Sequence, residues 1–160
     1  MEAYVRIKPL YLRRGILLSF FITLFLVAGS VIAQTQRVTL MQYAIEERPL
    51  LAELLTTAGL APTLSGSTAY TLLVPPEEAL RSLKTQPHEK IRAVLAMHII
   101  KGNYKAADFK EGAQVRTCGG EAITVYRKKG VTLLNGVSLN ALDRDMRNGV
   151  VQELNGLLQP

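Results

Sequence analysis

The sequence predicts an α+β fold in one globular unit, preceded by an apolar N-terminal segment. Two patterns carry the fold class. After residue 34, apolar residues first recur with three- and four-residue spacing, the period of helices packed on one face. From Val115 they alternate with polar residues, and glycine-containing pairs interrupt the alternation, as in a meander of strands. Helices first and strands afterwards argue for α+β. The 160 residues are 48% apolar and 20% charged, a composition that folds and is not disordered.

The elements follow in order. Val38 to Gly59 reads as helix, with Leu40, Tyr43 and Ala44 on one face and Leu50, Leu51, Leu54, Leu55 and Ala58 continuing the stripe. Pro49 breaks or restarts it after Arg48, and Gly59 suits the residue just past its end. Ala61 to Ala69 reads as a loop of Pro, Thr, Ser and Gly. Tyr70 to Val74 is a short buried strand ended by Pro75 and Pro76, and Pro76 suits the first turn of the next helix. Glu77 and Glu78 then lie at the positive end of that helix, with Leu80 and Leu83 pointing inward. A further helix begins after Pro87, with Ile91, Val94, Leu95 and His98 on one face. Ile99 to Tyr104 leads into a turn.

Strands are expected at Val115–Thr117, Ile123–Tyr126, Val131–Leu134, Val137–Leu139 and Val150–Leu154. The turns between them are Gly119-Gly120, the basic run Arg127 to Gly130, Asn135-Gly136 and Asn148-Gly149. Asn-Gly is a strong two-residue hairpin signal because both residues tolerate positive φ. No internal repeat or linker divides the chain after residue 34.

The first 33 residues read as an address. Met1 to Arg14 is basic, Ile16 to Val27 is uncharged and mostly apolar, and small residues follow up to Ala33. This is the three-part layout of a secretory signal peptide. Val31 and Ala33 suit a signal peptidase, making Gln34 the expected mature N-terminus, with a cut after Ser30 as the second choice. The alternative is an uncleaved anchor. The uncharged run Gly15 to Ala33 would measure about 28 Å as a helix, close to a hydrocarbon core of about 30 Å. Arg13 and Arg14 would then hold the N-terminus inside. Either reading places residues 34–160 outside the cytoplasm, secreted, periplasmic or at the cell surface, and touches the membrane only through residues 15–33.

The formal charge is +6, and half of it lies in that segment. The mild excess left on residues 34–160 is of the kind that serves solubility, and no nucleic-acid partner is read from it. The one cysteine, Cys118, permits no intrachain disulfide and is expected to be buried as a small apolar side chain.

Five stretches, taken in order, resemble the fasciclin domain of the fasciclin I type, the β-Ig-H3/fasciclin-like family. They are Leu51 to Leu60 (LAELLTTAGL), Tyr70 to Leu80 (YTLLVPPEEAL), Val94 to Tyr104 (VLAMHIIKGNY), Gly119 to Val125 (GGEAITV), and Asn135 to Pro160 with NGVSL, Asp143, NGVV and LLQP. Each is loose, but five in sequence order are specific together. The resemblance implies a wedge-shaped β-sheet packed with several helices. It also implies a module for cell adhesion, or for binding matrix, carbohydrate or partner proteins, without catalysis or a cofactor. Pro75, His98, Asp143, Asn148 and Gly149 fall on its structural motif positions. The chain departs from the family pattern where Pro76-Glu77 replaces Thr-Asn or Thr-Asp. It departs again where Met97 replaces the Tyr before the His, and where Gln152 and Asn155 stand for a His and an Asp. The Tyr-His pair tied to receptor binding in animal members is therefore incomplete.

The remaining polar clusters read as structure first. His98, on an apolar helical face, is expected to be a core histidine with a hydrogen-bonded ring. Two histidines and one cysteine without ligand spacing give no zinc site. Asp143-Arg144-Asp145 with Asn148 does not have the glycine and distal glutamate of a calcium loop in register and reads as a solvated turn. Arg127, Lys128 and Lys129 at a hairpin tip could hold an acidic polysaccharide, although charged tips also keep sheet edges from pairing. No nucleophile elbow, phosphate loop or dinucleotide fingerprint occurs. The expected function is extracytoplasmic adhesion or binding. The alternative is a carrier holding a small apolar ligand between helices and sheet.

Overall fold

Residues 37–160 are described by the computed structural model; the segment read as signal peptide or anchor, residues 1–33, and the expected cleavage at Gln34 lie outside them. The chain enters helix α1 (Leu40–Glu47) through Thr39, whose hydroxyl accepts the Gln42 N–H at 3.1 Å. Pro49 stops that helix and opens α2 (Pro49–Thr57) at its first position, where a missing N–H costs nothing. Gly59, at φ +68°, ends the run.

The expected loop then contains a short helix, α3 (Ala61–Ser65). Pro62 in its first turn and the buried Leu64 explain it: the turn loses no hydrogen bond and gains an apolar anchor. Strand β1 (Tyr70–Val74) follows where predicted, and α4 (Glu77–Lys84) starts after Pro76. Pro76 sits in extended backbone at the cap position, not in the first turn. Helix α5 (His88–Met97) runs straight into β2 (Ile99–Lys101), a strand that three residues are too few to announce.

A 3-10 turn at Ala106–Asp108 precedes β3 (Gln114–Arg116), β4 (Ala122–Lys128), β5 (Val131–Leu134), β6 (Val137–Met146) and β7 (Gly149–Leu154). Two hairpin turns place both central residues at positive φ: Asn135-Gly136 at 48° and 88°, and Lys129-Gly130 at 51° and 81°. The basic turn is thus two residues long, with Arg127 and Lys128 inside β4. The last hairpin closes over Arg147-Asn148, because Met146 pairs with Gly149 and makes that glycine the first residue of β7. Asp143-Arg144-Asp145 is no solvated turn: it belongs to β6, at a register shift between Asn140 and Arg144, with Asp143 at φ +48°.

Among the described residues the strands form a seven-stranded sheet in the order β2-β1-β7-β6-β5-β4-β3. Strands β3 to β7 are an antiparallel meander, whereas β1 lies parallel to β7 and antiparallel to β2. The sheet curls until its two edges meet. Ile100 bridges Thr117, and the Cys118 N–H donates to the Ile99 carbonyl at 2.7 Å.

Two apolar clusters result. One lies between the helices and the sheet and takes Leu40, Leu51, Leu55, Leu64, Leu72, Leu95 and Val151. The other fills the curl with Leu73, Met97, Phe109, Ile123, Val125, Leu134, Leu154 and Leu158. Alternation along β1 sends Leu72 and Leu73 to opposite clusters, so β1 is buried on both faces.

Candidate functional site

The interior polar side chains hold main chain. His98 is 1% exposed. Its Nδ1 lies 2.8 Å from the Val94 carbonyl, and its Nε2 accepts the Leu158 N–H at 3.1 Å. Accepting at Nε2 fixes the proton on Nδ1, which donates to Val94. Burial pushes the imidazole down to about 4, so it is neutral at ordinary pH.

Asn148 donates to the carbonyls of Leu64 and Gly66 at 2.8 and 2.7 Å and accepts the Leu40 N–H at 2.8 Å. One amide thereby ties the last hairpin to the start of α1 and the end of α3. Gly149 beside it has no room for a side chain: a Cβ there would overlap the Tyr70 carbonyl oxygen of β1. Pro75 ends β1 in buried surroundings.

Gln152 supports the β6 bulge. Its Oε1 accepts the N–H groups of Leu142 and Asp143 at 3.2 and 3.3 Å, and its Nε2 donates to the Tyr104 carbonyl and to the Asp143 carboxylate. Asp143 also accepts the Ala106 N–H at 2.7 Å. The Gln152 bond, followed by the Ala106 N–H, holds the Asp143 carboxyl below its ordinary range. Gln152, one of the residues that depart from the family pattern, thus stitches the bulge to the 3-10 turn.

Among the described residues no group of three or more His, Cys, Asp or Glu could hold a metal ion. No helix there is long and apolar enough to cross a membrane. A cleft of about 150 Å³ lies between Leu83, Lys90 and Val94 and the chain end at Leu157, Gln159 and Pro160. A second, of about 10 Å³, lies beside Pro49, Leu51 and Leu80.

The exterior is more distinctive. Residues 98–134 carry seven Lys or Arg against three Asp or Glu, while the rest of 37–160 carries eight against nine. Among the described residues, five ion pairs engage Arg48, Arg81, Lys84, Lys105 and Arg144; none of them involves Lys101, Arg116, Lys128 or Lys129.

The fold divides the sequence-predicted basic run. Arg127 lies on the inward-facing register of β4 with Ile123 and Val125, and its guanidinium donates to the Phe109 carbonyl at 3.2 Å. Its N–H is accepted by the Glu111 carboxylate. Lys128 lies on the opposite register with Thr124 and Tyr126, and Lys129 forms the turn. Pairing adds unforeseen neighbours to that outward face. Arg116 pairs with Ala122, Leu133 with Tyr126 and Val131 with Lys128. The Ile100–Thr117 bridge sets Lys101 opposite Arg116 across the seam. Tyr126 is 50% exposed and Val131 45%.

Cys118 is exposed at the seam, which corrects the expected burial. It follows the end of β3 where the main chain turns outward, so the apolar nature of a thiol does not decide its place. Partial burial still raises its pKa, opposed by Lys101.

The described residues thus form a curled α+β unit whose interior polar groups secure backbone. A sequence profile of the fasciclin domain matches residues 48–160. The chain belongs to the fasciclin domain family, which at family level is one of adhesion or binding modules. It is similar to Protein sll1483 of Synechocystis sp., 26% identical over 64% of this chain and 62% of that protein. It is also similar to the FAS1 domain pair from the insect cell adhesion molecule fasciclin I, with a TM-score of 0.59 and 14% identity over 77% of this chain and 51% of that one. The chain thus spans less than two thirds of either relative, and the second likeness is one of fold. The wedge of sheet and helices implied by the sequence resemblance is the fold found.

Proposed function

We propose that the chain acts outside the cytoplasm as an adhesion or binding module, engaging a cell-surface or matrix partner through its exterior. One observation carries this reading: the conspicuous buried polar side chains, His98, Asn148 and Gln152, are consumed in holding main chain. The face that is left with unengaged chemistry is the exposed one. Export is supported by the basic, apolar and small-residue order of residues 1–33.

A carrier of a small apolar ligand would use a pocket of about 300 Å³ or more. The clefts of about 150 and about 10 Å³ give that reading no support.

The test is expression of the full chain followed by fractionation and N-terminal sequencing, then binding of the recovered protein to intact cells and envelope fragments. Recovery outside the cytoplasm, starting at Gln34 or retaining residues 1–33 in the membrane, together with saturable binding, is expected. Cytoplasmic recovery with an intact soluble N-terminus, or no binding beyond that of an inert protein, would overturn it.

A further inference from the structure

We propose that the outward face of the curled sheet over β2 to β5, centred on Tyr126 and flanked by Lys101, Arg116 and Lys128, is a docking strip for a linear acidic polysaccharide. This rests on the exterior-binding reading above and names the ligand class and the residues.

The face is built by pairing and not by sequence proximity. Along β4 the outward positions are Ala122, Thr124, Tyr126 and Lys128. Arg116 stands beside Ala122, and Lys101 faces Arg116 across the seam. From Ala122 to Lys128 the strand rises about 20 Å at roughly 3.3 Å per residue. One end of the strip therefore carries two cations and the other carries Lys128, with a half-exposed tyrosine ring between them.

Charge complementarity selects an anion. None of the ion pairs among the described residues involves Lys101, Arg116 or Lys128, so an incoming polyanion displaces no such protein carboxylate. The nearby Glu111 is engaged by the Arg127 N–H. Shape selects a linear chain with repeated charge, because cations separated by about 20 Å along a strand match an extended polymer better than one compact anion. The ring selects sugar. A half-exposed tyrosine on a sheet offers apolar ring surface with a hydroxyl at its edge, and a pyranose offers C–H groups of the same character. Gln114, Thr124 and Ser138 around it supply donors and acceptors for hydroxyl groups. A protein partner would need about 800 Å² of contact with an apolar centre, whereas Ala122, Tyr126, Leu133 and Val131 are the apolar side chains named on this strip.

The probe is alginate, a linear polyuronate, immobilised at low salt, with neutral dextran, duplex DNA and anionic phosphatidylglycerol vesicles as comparisons. The recovered full-length product is expected to bind alginate and not dextran, and to bind DNA and vesicles more weakly. Added salt should weaken alginate binding steeply. The double variant R116Q/K128Q should lose about tenfold or more, as two surface charges acting on a polyanion would. Tyr126→Ser should lose several-fold, including at salt where the charges are screened. The double variant R81Q/K84Q on α4, whose cations are paired with Glu77 and Glu53, should bind as the parent does. Binding unaffected by R116Q/K128Q and Tyr126→Ser overturns the proposal. So does binding to DNA or vesicles at least as tight as to alginate. In either case retained binding to cells would leave the exterior-binding reading standing, so the two failures are separable. Each substituted side chain is exposed or half-exposed, and an unchanged thermal midpoint verifies folding.

Discussion

The ring of His98 accepts the Leu158 N–H only while its Nε2 is unprotonated. In the unfolded chain the imidazole titrates near about 6.5; in the fold, burial pushes it down to about 4. The folded state therefore favours the neutral ring. Its contribution is present in full above the unfolded value and is lost as pH falls from about 6.5 through about 4. The depression corresponds to about 3 kcal/mol over that window. Urea unfolding at pH 7.5, 6, 5 and 4 should show this decline. His98→Leu should lose about 1–3 kcal/mol at neutral pH by orphaning the Leu158 N–H and the Val94 carbonyl. Its stability should also be flatter across the window, and an equally steep profile would remove the assignment to His98. Cys118 gives a second test at this scale. Exposed but with its pKa raised, it should label in the native state at a rate that climbs with pH above neutrality. Protection until unfolding would contradict its exposure. The two residues also differ in how readable they were. His98 sits at helical spacing from Ile91, Val94 and Leu95, which fixes its face, whereas no periodicity governs Cys118 beyond the end of β3.

Hairpins were the most legible elements because their turns obey local chemistry. Asn135-Gly136 adopts the positive φ pair that its residues tolerate. The β6 bulge was not legible, since it depends on Gln152 in the neighbouring strand reaching across to the Leu142 and Asp143 N–H groups. Gln152→Leu should therefore cost about 1–3 kcal/mol. It should also increase exchange of the Leu142, Asp143 and Ala106 amides before the rest of the sheet is affected. Uniform loss of protection would mean that the bulge is held by something else. Asn148→Ala removes three hydrogen bonds that join β7's hairpin to α1 and α3, and roughly 2–4 kcal/mol should go with them. The same dependence on pairing hid the outward strip. Arg116 joins Tyr126 and Lys128 on one face only once β3 and β4 are in register, whereas the contiguous run Arg127 to Lys129 is split because the strand points Arg127 and Lys128 to opposite sides.

At the scale of the molecule, the position of β1 decides how the parts depend on one another. Its parallel pairing with β7 joins residues near 70 to residues near 150, and no local pattern reports such a contact. That is why a meander following a helical half was readable, but the insertion of β1 between β2 and β7 was not. The insertion has an energetic consequence. β1 and β7 separate the helix-side cluster from the cluster inside the curl, and each strand contributes to both: Leu72 and Val151 to the first, Leu73 and Leu154 to the second. Two cores sharing their dividing strands cannot come apart singly without exposing one face of β1. The fold should therefore unfold in one cooperative step. Leu72→Ala and Leu73→Ala, adjacent in sequence but facing opposite clusters, should each cost about 2–5 kcal/mol. In native-state hydrogen exchange either substitution should lower protection equally for amides of α2 and of β4, which lie on opposite sides of the divide. If Leu72→Ala loosened only α2, or Leu73→Ala only β4, the clusters would be independent units, and β1 would be a boundary between them and not their common wall.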